Sequence, residues 1–189
     1  MNDRRPVGVV LAGGASARMG VDKATLTIAG KPMVVSVADA MWEAGCHPVE
    51  CQGGDPGAIA EFGLEVIADD APGLGPLPAI SAALSRHAGS DVVVAACDLP
   101  DLDGATIRSL IAAATADRTA AEVVVAATGQ ARHLVAWWRS GVAPRLGALV
   151  ATGLTSYRAA LDVLDTLDVQ VAATAVRNVN APVDTETSR

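Results

Sequence analysis

Between Leu11 and Lys23 the chain reads LAGGASARMGVDK, which places two glycines, a hydroxyl and two cations in one short stretch. Gly13 and Gly14 permit a tight backbone path and the close approach of a ligand. Successive N–H groups in such a loop form a concave anion site. Ser16 adds a hydroxyl donor, and Arg18 and Lys23 bring positive charge suited to polyphosphate oxygens. The spacing G-G-x-S-x-R-M-G is neither the G-x-G-x-x-G of a dinucleotide fold nor the G-x-x-x-x-G-K-[ST] of a Walker loop. A lone glycine pair reads as a turn followed by surface cations. The whole ordered string favours a polyphosphate site.

Carboxylates supply the second half of that chemistry. Asp98 stands just past the apolar run VVVAAC, where a strand end would hold an oxygen ligand in a fixed place. Magnesium prefers such ligands and binds through one or two carboxylates, waters and substrate phosphates. A turn or helix-cap aspartate before Pro100 is the other reading of the same residue. Asp69 and Asp70 end another short apolar run; each can face a ligand or lie solvated in a loop. Asn178 and Asn180 carry amides able to contact an acceptor or a metal-bound water, and N-V-N equally suits a turn. Arg132 and His133 are placed to meet an acceptor phosphate, without a catalytic role being assigned to His133.

These residues need a scaffold, and the pattern supplies one. Short apolar runs alternate with segments of helical period, which predicts an α/β fold with a mostly parallel sheet. Strands are expected at Val7–Leu11, Val49–Gln52, Leu64–Ala68, Asp91–Ala96, Val123–Ala127, Leu134–Trp138 and Asp168–Ala172. Pro32 opens a helix whose Val34, Val37, Ala38, Met41 and Trp42 form one apolar stripe. A second helix carries Leu77, Ile80, Leu84 and His87 along one face. Asp103 caps a third, with Ile107, Leu110, Ile111 and Ala114 at helical spacing. Helices around Leu146 and Leu161 are separated by Gly153, a C-cap candidate. Trp137 and Trp138 point to opposite sides of their strand, so one is expected in the core; stacking on a ligand ring is the alternative use of the other. Gly13, Asp69 and Asp98 all follow strands, and ligands in open α/β sheets bind beyond the strands' carboxyl ends.

The chain has 189 residues, of which 51% are hydrophobic and only 3% aromatic. One domain over residues 1–189 is therefore expected, with a core of Ala, Val, Leu and Ile. A net charge of −7 without a long basic run argues against a nucleic-acid surface. It leaves room for an anionic ligand held by a few cations, backbone N–H groups and a divalent metal. Cys46, Cys51 and Cys97 form neither an even disulfide set nor a metal-ligand pattern. No apolar run reaches membrane-spanning length and MNDRRP lacks a signal peptide's apolar segment. A cytoplasmic protein without membrane partners is expected.

The string ending R-M-G-x-D-K resembles the signature of the molybdenum cofactor guanylyltransferase (MobA) family, within the Rossmann-like nucleotidyltransferases. The resemblance extends to Gly30-Lys31-Pro32, Asp69, Gly75-Pro76-Leu77, Cys97-Asp98-Leu99-Pro100 and Asn178-Val179-Asn180, in the family's order across almost the whole chain. It implies a three-layer α/β/α fold of the nucleotide-diphospho-sugar transferase type. It further implies transfer of GMP from GTP to molybdopterin bearing molybdenum, with pyrophosphate released. Leu11, Ala12, Gly13, Gly14, Lys23, Asp69 and Asp98 are carried over as nucleotide-binding positions. Asp98 matches the magnesium ligand, and Lys23, Arg18 and Asp98 are the expected catalytic set.

Asp69 is implied to read the guanine N1–H and 2-amino group, and Asn178 and Asn180 to face the pterin. The implied partners are GTP and the molybdopterin cofactor, with transient contact to cofactor-delivery proteins or molybdoenzymes. Pro78 and Ala79 depart from the family's G-P-L-x-G, which bears on the base pocket. A cytidylyltransferase using CTP shares the loop and metal, and a non-catalytic nucleotide-binding protein is the reading of another class.

Overall fold

The computed structural model describes residues 5–13, 23–116 and 120–179. Gly14, Ser16, Arg18 and Asn180 lie outside those residues. Nine strands and six α-helices follow one another as β1 (Val7–Leu11), β2 (Thr27–Ile28), β3 (Lys31–Pro32), α1 (Met33–Glu43), β4 (Val49–Gln52), α2 (Pro56–Ala60), β5 (Glu65–Ile67), α3 (Pro76–Arg86), β6 (Val92–Ala96), α4 (Gly104–Thr115), β7 (Val123–Thr128), β8 (Ala131–Trp138), α5 (Ala143–Ala151), α6 (Tyr157–Val163) and β9 (Thr166–Gln170) among the described residues.

Seven strands form one sheet in the order β5-β4-β1-β6-β8-β7-β9, and β2 pairs with β3 apart from it. Within the seven-stranded sheet only β8 runs antiparallel to its neighbours, and the other pairings there are parallel; β2 and β3 are antiparallel to each other. Buried strands rich in Val suit such a sheet, because both faces are covered and β-branched side chains pack well on the pleat. On one face Val10, Val93, Val124, Val135 and Trp137 pack with residues of α1, α2 and α4. On the other Val9, Leu11, Val94, Val125 and Trp138 pack with residues of α3, α5 and α6. The expected three layers are present.

Several expectations are corrected in detail. Trp42 is 42% exposed, because it sits at the margin of the α1 stripe near the helix's end. α3 stops at Arg86, so His87 is its C-cap residue rather than a member of the apolar face. The final strand is Thr166–Gln170, since the ladder to β7 begins at Val123↔Thr166 and the chain turns at Ala173–Val176. β8 begins at Ala131, leaving only Gly129 and Gln130 between it and β7. Both Trp137 and Trp138 are buried, one in each core layer, so neither offers a face for stacking on a ligand. No helix among the described residues is long and apolar enough to cross a membrane.

The strand order sets the place for chemistry. From β1 the chain moves outward to β4 and β5, then returns to place β6 on β1's other side. Between β1 and β6 the order reverses, and a crevice opens beyond the carboxyl ends of the two strands at such a point.

Candidate functional site

β1 ends at Leu11, whose carbonyl accepts a hydrogen bond from the Cys97 N–H at 3.1 Å. The Ala12 and Gly13 N–H groups both turn to the Gln52 carbonyl, at 3.0 and 3.3 Å. The segment leaving β1 is thereby held between the ends of β4 and β6. Gly13 is tightly surrounded: a Cβ there would lie 3.4 Å from Asp69 Oδ2 and 3.7 Å from Gly53 Cα. Gly53 is more constrained still. Its φ is +77°, and an added Cβ would come within 2.9 Å of Gly13 Cα, closer than side chains approach backbone. Sequence reasoning passed over Gly53; the Gly53–Gly54 pair directly after the expected strand Val49–Gln52 was the available signal.

Asp69 is half-buried and Asp70 exposed, which separates the two carboxylates that sequence left equal. Asp69 Oδ1 accepts from the Ala71 N–H at 3.0 Å, a local turn of the kind aspartate favours, while Oδ2 is the atom that a Cβ on Gly13 would meet first. The first glycine of the loop and this carboxylate are therefore adjacent.

Lys23 opens a short 3-10 turn, Lys23–Thr25, and its Nζ lies 2.8 Å from Asp98 Oδ2. Both side chains are largely shielded, 15% and 17% exposed. Asp98 Oδ1 is buried and has no hydrogen-bond partner among the described residues. An orphaned carboxylate oxygen is costly, and one lone pair set left open beside a cation is what an oxygen-seeking divalent ion or a phosphate's metal uses. The residues present therefore fit a magnesium-type ion held through one carboxylate and completed by substrate oxygens and water. They do not fit an all-protein metal cage: no group of three His, Cys, Asp or Glu able to hold a metal occurs among the described residues.

The Asp98 carbonyl accepts from the Val179 N–H at 2.9 Å. Val179 is buried and Asn178 exposed, so the C-terminal segment reaches the same end of β6. Arg177 secures it there by donating twice to Asp101 Oδ2, at 3.0 and 2.7 Å. Sequence reasoning missed this clamp, for which no local signal exists across 76 positions.

The other candidates behave differently. Arg132 is engaged by Asp168 at 2.8 Å and Asp162 at 3.3 Å, and lines an open pocket of about 450 Å³ with Arg158 and Gly129. His133 Nε2 lies 2.7 Å from Thr128 Oγ1. Burial, and then the neighbouring Arg158 charge, hold its imidazole below the usual range. The Ala79 methyl is buried in the core layer that contains Leu11, Leu77 and Ile80.

Three comparisons bear on this geometry. Residues 8–169 match the MobA-like NTP transferase domain. A probable molybdenum cofactor guanylyltransferase of Mycobacterium marinum is 37% identical over 183 residues, covering 94% of this chain and 90% of that protein. Among solved structures, molybdopterin-guanine dinucleotide biosynthesis protein A from Archaeoglobus fulgidus superposes with a TM-score of 0.72 at 22% identity, covering 94% of each chain. A Mycobacterium tuberculosis protein solved in complex with manganese superposes at 0.68 with 20% identity, covering 96% of each. The two structural likenesses agree with the fold described above.

Proposed function

Because this chain belongs to the MobA-like NTP transferase family, we propose that it transfers GMP from GTP to the terminal phosphate of molybdenum-bearing molybdopterin, releasing pyrophosphate, with magnesium as its metal. The observation that carries this reading is the Lys23–Asp98 pair at 2.8 Å with Asp98 Oδ1 left open beside it. It stands at the reversal of strand order, next to the segment leaving β1.

The reaction asks little covalent chemistry of the protein. A phosphate oxygen of the acceptor already carries negative charge and attacks the α-phosphorus in line, while the bond to pyrophosphate breaks. The protein's task is to align two anions and to reduce their repulsion. Lys23 stabilises charge on the α-phosphate and the departing pyrophosphate, its ammonium held in place by Asp98. We assign the polyphosphate to the glycine loop that follows Gly13, with Arg18 as a further cation. Asp98 and substrate oxygens hold the metal, which when bound supplies Lewis-acid charge neutralisation at the phosphates. Asp69 accepts hydrogen bonds from the guanine edge, and Asn178, whose neighbour Val179 is tied to Asp98, contacts the acceptor, a role assigned to Asn180 from the sequence.

The test is pyrophosphate release measured with GTP and with CTP, each with magnesium and molybdenum-loaded molybdopterin. The reading expects release with GTP and formation of a guanine dinucleotide. Release with CTP alone makes the protein a cytidylyltransferase. Tight nucleotide binding without release from either nucleotide leaves only a binding protein.

A further inference from the structure

Between β4 and the end of α3 the chain buries polar groups that the proposed reaction does not use. Along β4, Val49 and Cys51 belong to one core layer, so the alternating Glu50 and Gln52 face the other side of the sheet. Glu50 is 4% exposed and Gln52 2%. The last residue of α3, Arg86, sends one Nη2 to Glu50 Oε1 and to Gln52 Oε1, the latter at 2.8 Å. His87 Nε2 lies 3.1 Å from Glu50 Oε2. The Gln52 amide then donates through Nε2 to the Ala68 carbonyl at 2.8 Å.

An ion pair with one buried partner, Glu50, and one partly exposed, Arg86, is weak support for stability, because desolvation of the carboxylate offsets much of the attraction. Its use here is better sought in what it orients. Arginine only donates and a carbonyl only accepts, so a single orientation of the Gln52 amide satisfies both neighbours. The same residue's carbonyl receives the Ala12 and Gly13 N–H groups. One residue thus grips the segment entering the glycine loop with its backbone and the residue before Asp69 with its side chain.

We infer that Gln52 is a positioning residue for base recognition: clamped by Arg86, its amide fixes the Ala68 carbonyl and so sets the Asp69 carboxylate beside Gly13. This rests on the reading of Asp69 as the group that meets the base edge. It assigns no contact between Gln52 and nucleotide.

Gln52→Glu tests it. The substitution keeps the size and the partnership with Arg86, but replaces the donor to Ala68 with an acceptor. Binding of GTP, CTP and inorganic tripolyphosphate, each with magnesium, is measured by calorimetry on the whole chain. The variant is expected to bind GTP about tenfold more weakly, the worth of one lost hydrogen bond, with tripolyphosphate affinity unchanged. In an Asp69→Asn background, Gln52→Glu is expected to cost nothing more. Equal weakening of GTP and tripolyphosphate reduces Gln52 to a structural residue and overturns the inference. So does full additivity with a damaging Asp69→Asn.

An Asp69→Asn protein that binds GTP normally removes the base reader, and the inference with it. Wild-type preference for CTP refutes only the guanine assignment, and the coupling is then scored on CTP. If Gln52→Glu fails to fold, Gln52→Met, similar in size and without a donor, takes its place with the same expected pattern.

Discussion

A carboxylate with one oxygen committed and the other buried but open is an unusual residue to keep, and Asp98 is the most informative one in the chain. Its Oδ2 engages Lys23 at 2.8 Å, while Oδ1 meets no partner among the described residues. Replacing it by asparagine preserves shape but removes the charge that pairs with Lys23 and that, in the proposed reaction, would hold the metal. Nucleotidyl transfer by Asp98→Asn is expected to fall about 10²–10³-fold, the range for loss of one preorganised electrostatic contact, with circular dichroism unaltered. A folded variant with wild-type turnover in magnesium would refute the role.

His133 makes a prediction of a different kind. Burial and Arg158 lower its pKa from 6.5 in the folded chain, so the unfolded imidazole binds the proton more readily. Since stability rises with pH wherever the unfolded state holds more protons, it should decline as pH falls through 6.5. Denaturant melts of wild type and His133→Gln between about pH 7.5 and 5.5, a window around the free imidazole's pKa, check this. The variant should lose part of the acid-side decline. An identical pH profile in the two proteins would exclude His133 as its source.

At the scale of elements, signals that sit in consecutive residues were read correctly and signals that depend on partners were not. Asp103 announces α4 by type and position, and its Oδ1 accepts from the Thr106 N–H at 2.7 Å. Asp103→Ala should therefore destabilise the fold by about 1 kcal/mol, the usual cost of losing an N-cap. An unchanged denaturation midpoint would show that water caps the helix equally well. The runs VGVVL and VVVAA likewise declared β1 and β6, because strands buried on both faces read as continuous apolar stretches.

β2 and β3 have two residues each and α2 five, too few for any period to register. The position of β9 was missed by two residues because Leu167 and Val169 alternate with polar neighbours just as Val169 and Val171 do. Only pairing with β7 selects between the two. For the candidate site, Gly13, Asp69 and Asp98 were legible as residue types following strands, and Lys23 as a cation of the glycine-loop string. The Gln52 grip on Ala68 and the Arg177–Asp101 clamp were not, since each joins side chains whose proximity exists only after the sheet has formed.

For the whole molecule the decisive element is β8. It lies between β6 and β7 and runs antiparallel to both, so the later strands join the earlier part of the sheet through it. Its last two residues bind the layers together as well: Trp137 enters the core beneath α1 and α4, and Trp138 the core beneath α3, α5 and α6. Trp138 also stands 6.2 Å from the Tyr157 ring on α6.

The parts of the sheet on either side of β8 are joined through that strand, so the two are expected to lose their cores together. The single-domain reading of residues 1–189 therefore predicts one cooperative transition, with tryptophan fluorescence and far-UV circular dichroism superimposing throughout denaturation. Trp138→Ala should remove about 3–5 kcal/mol, as large aromatic truncations in cores do, and should move both signals together. Two separated transitions, or a fluorescence change preceding the loss of helix, would mean that the β7–β9 portion opens on its own. That portion would then be a unit docked against the rest of the sheet, and any function that needs both would depend on how those units close rather than on one preformed crevice.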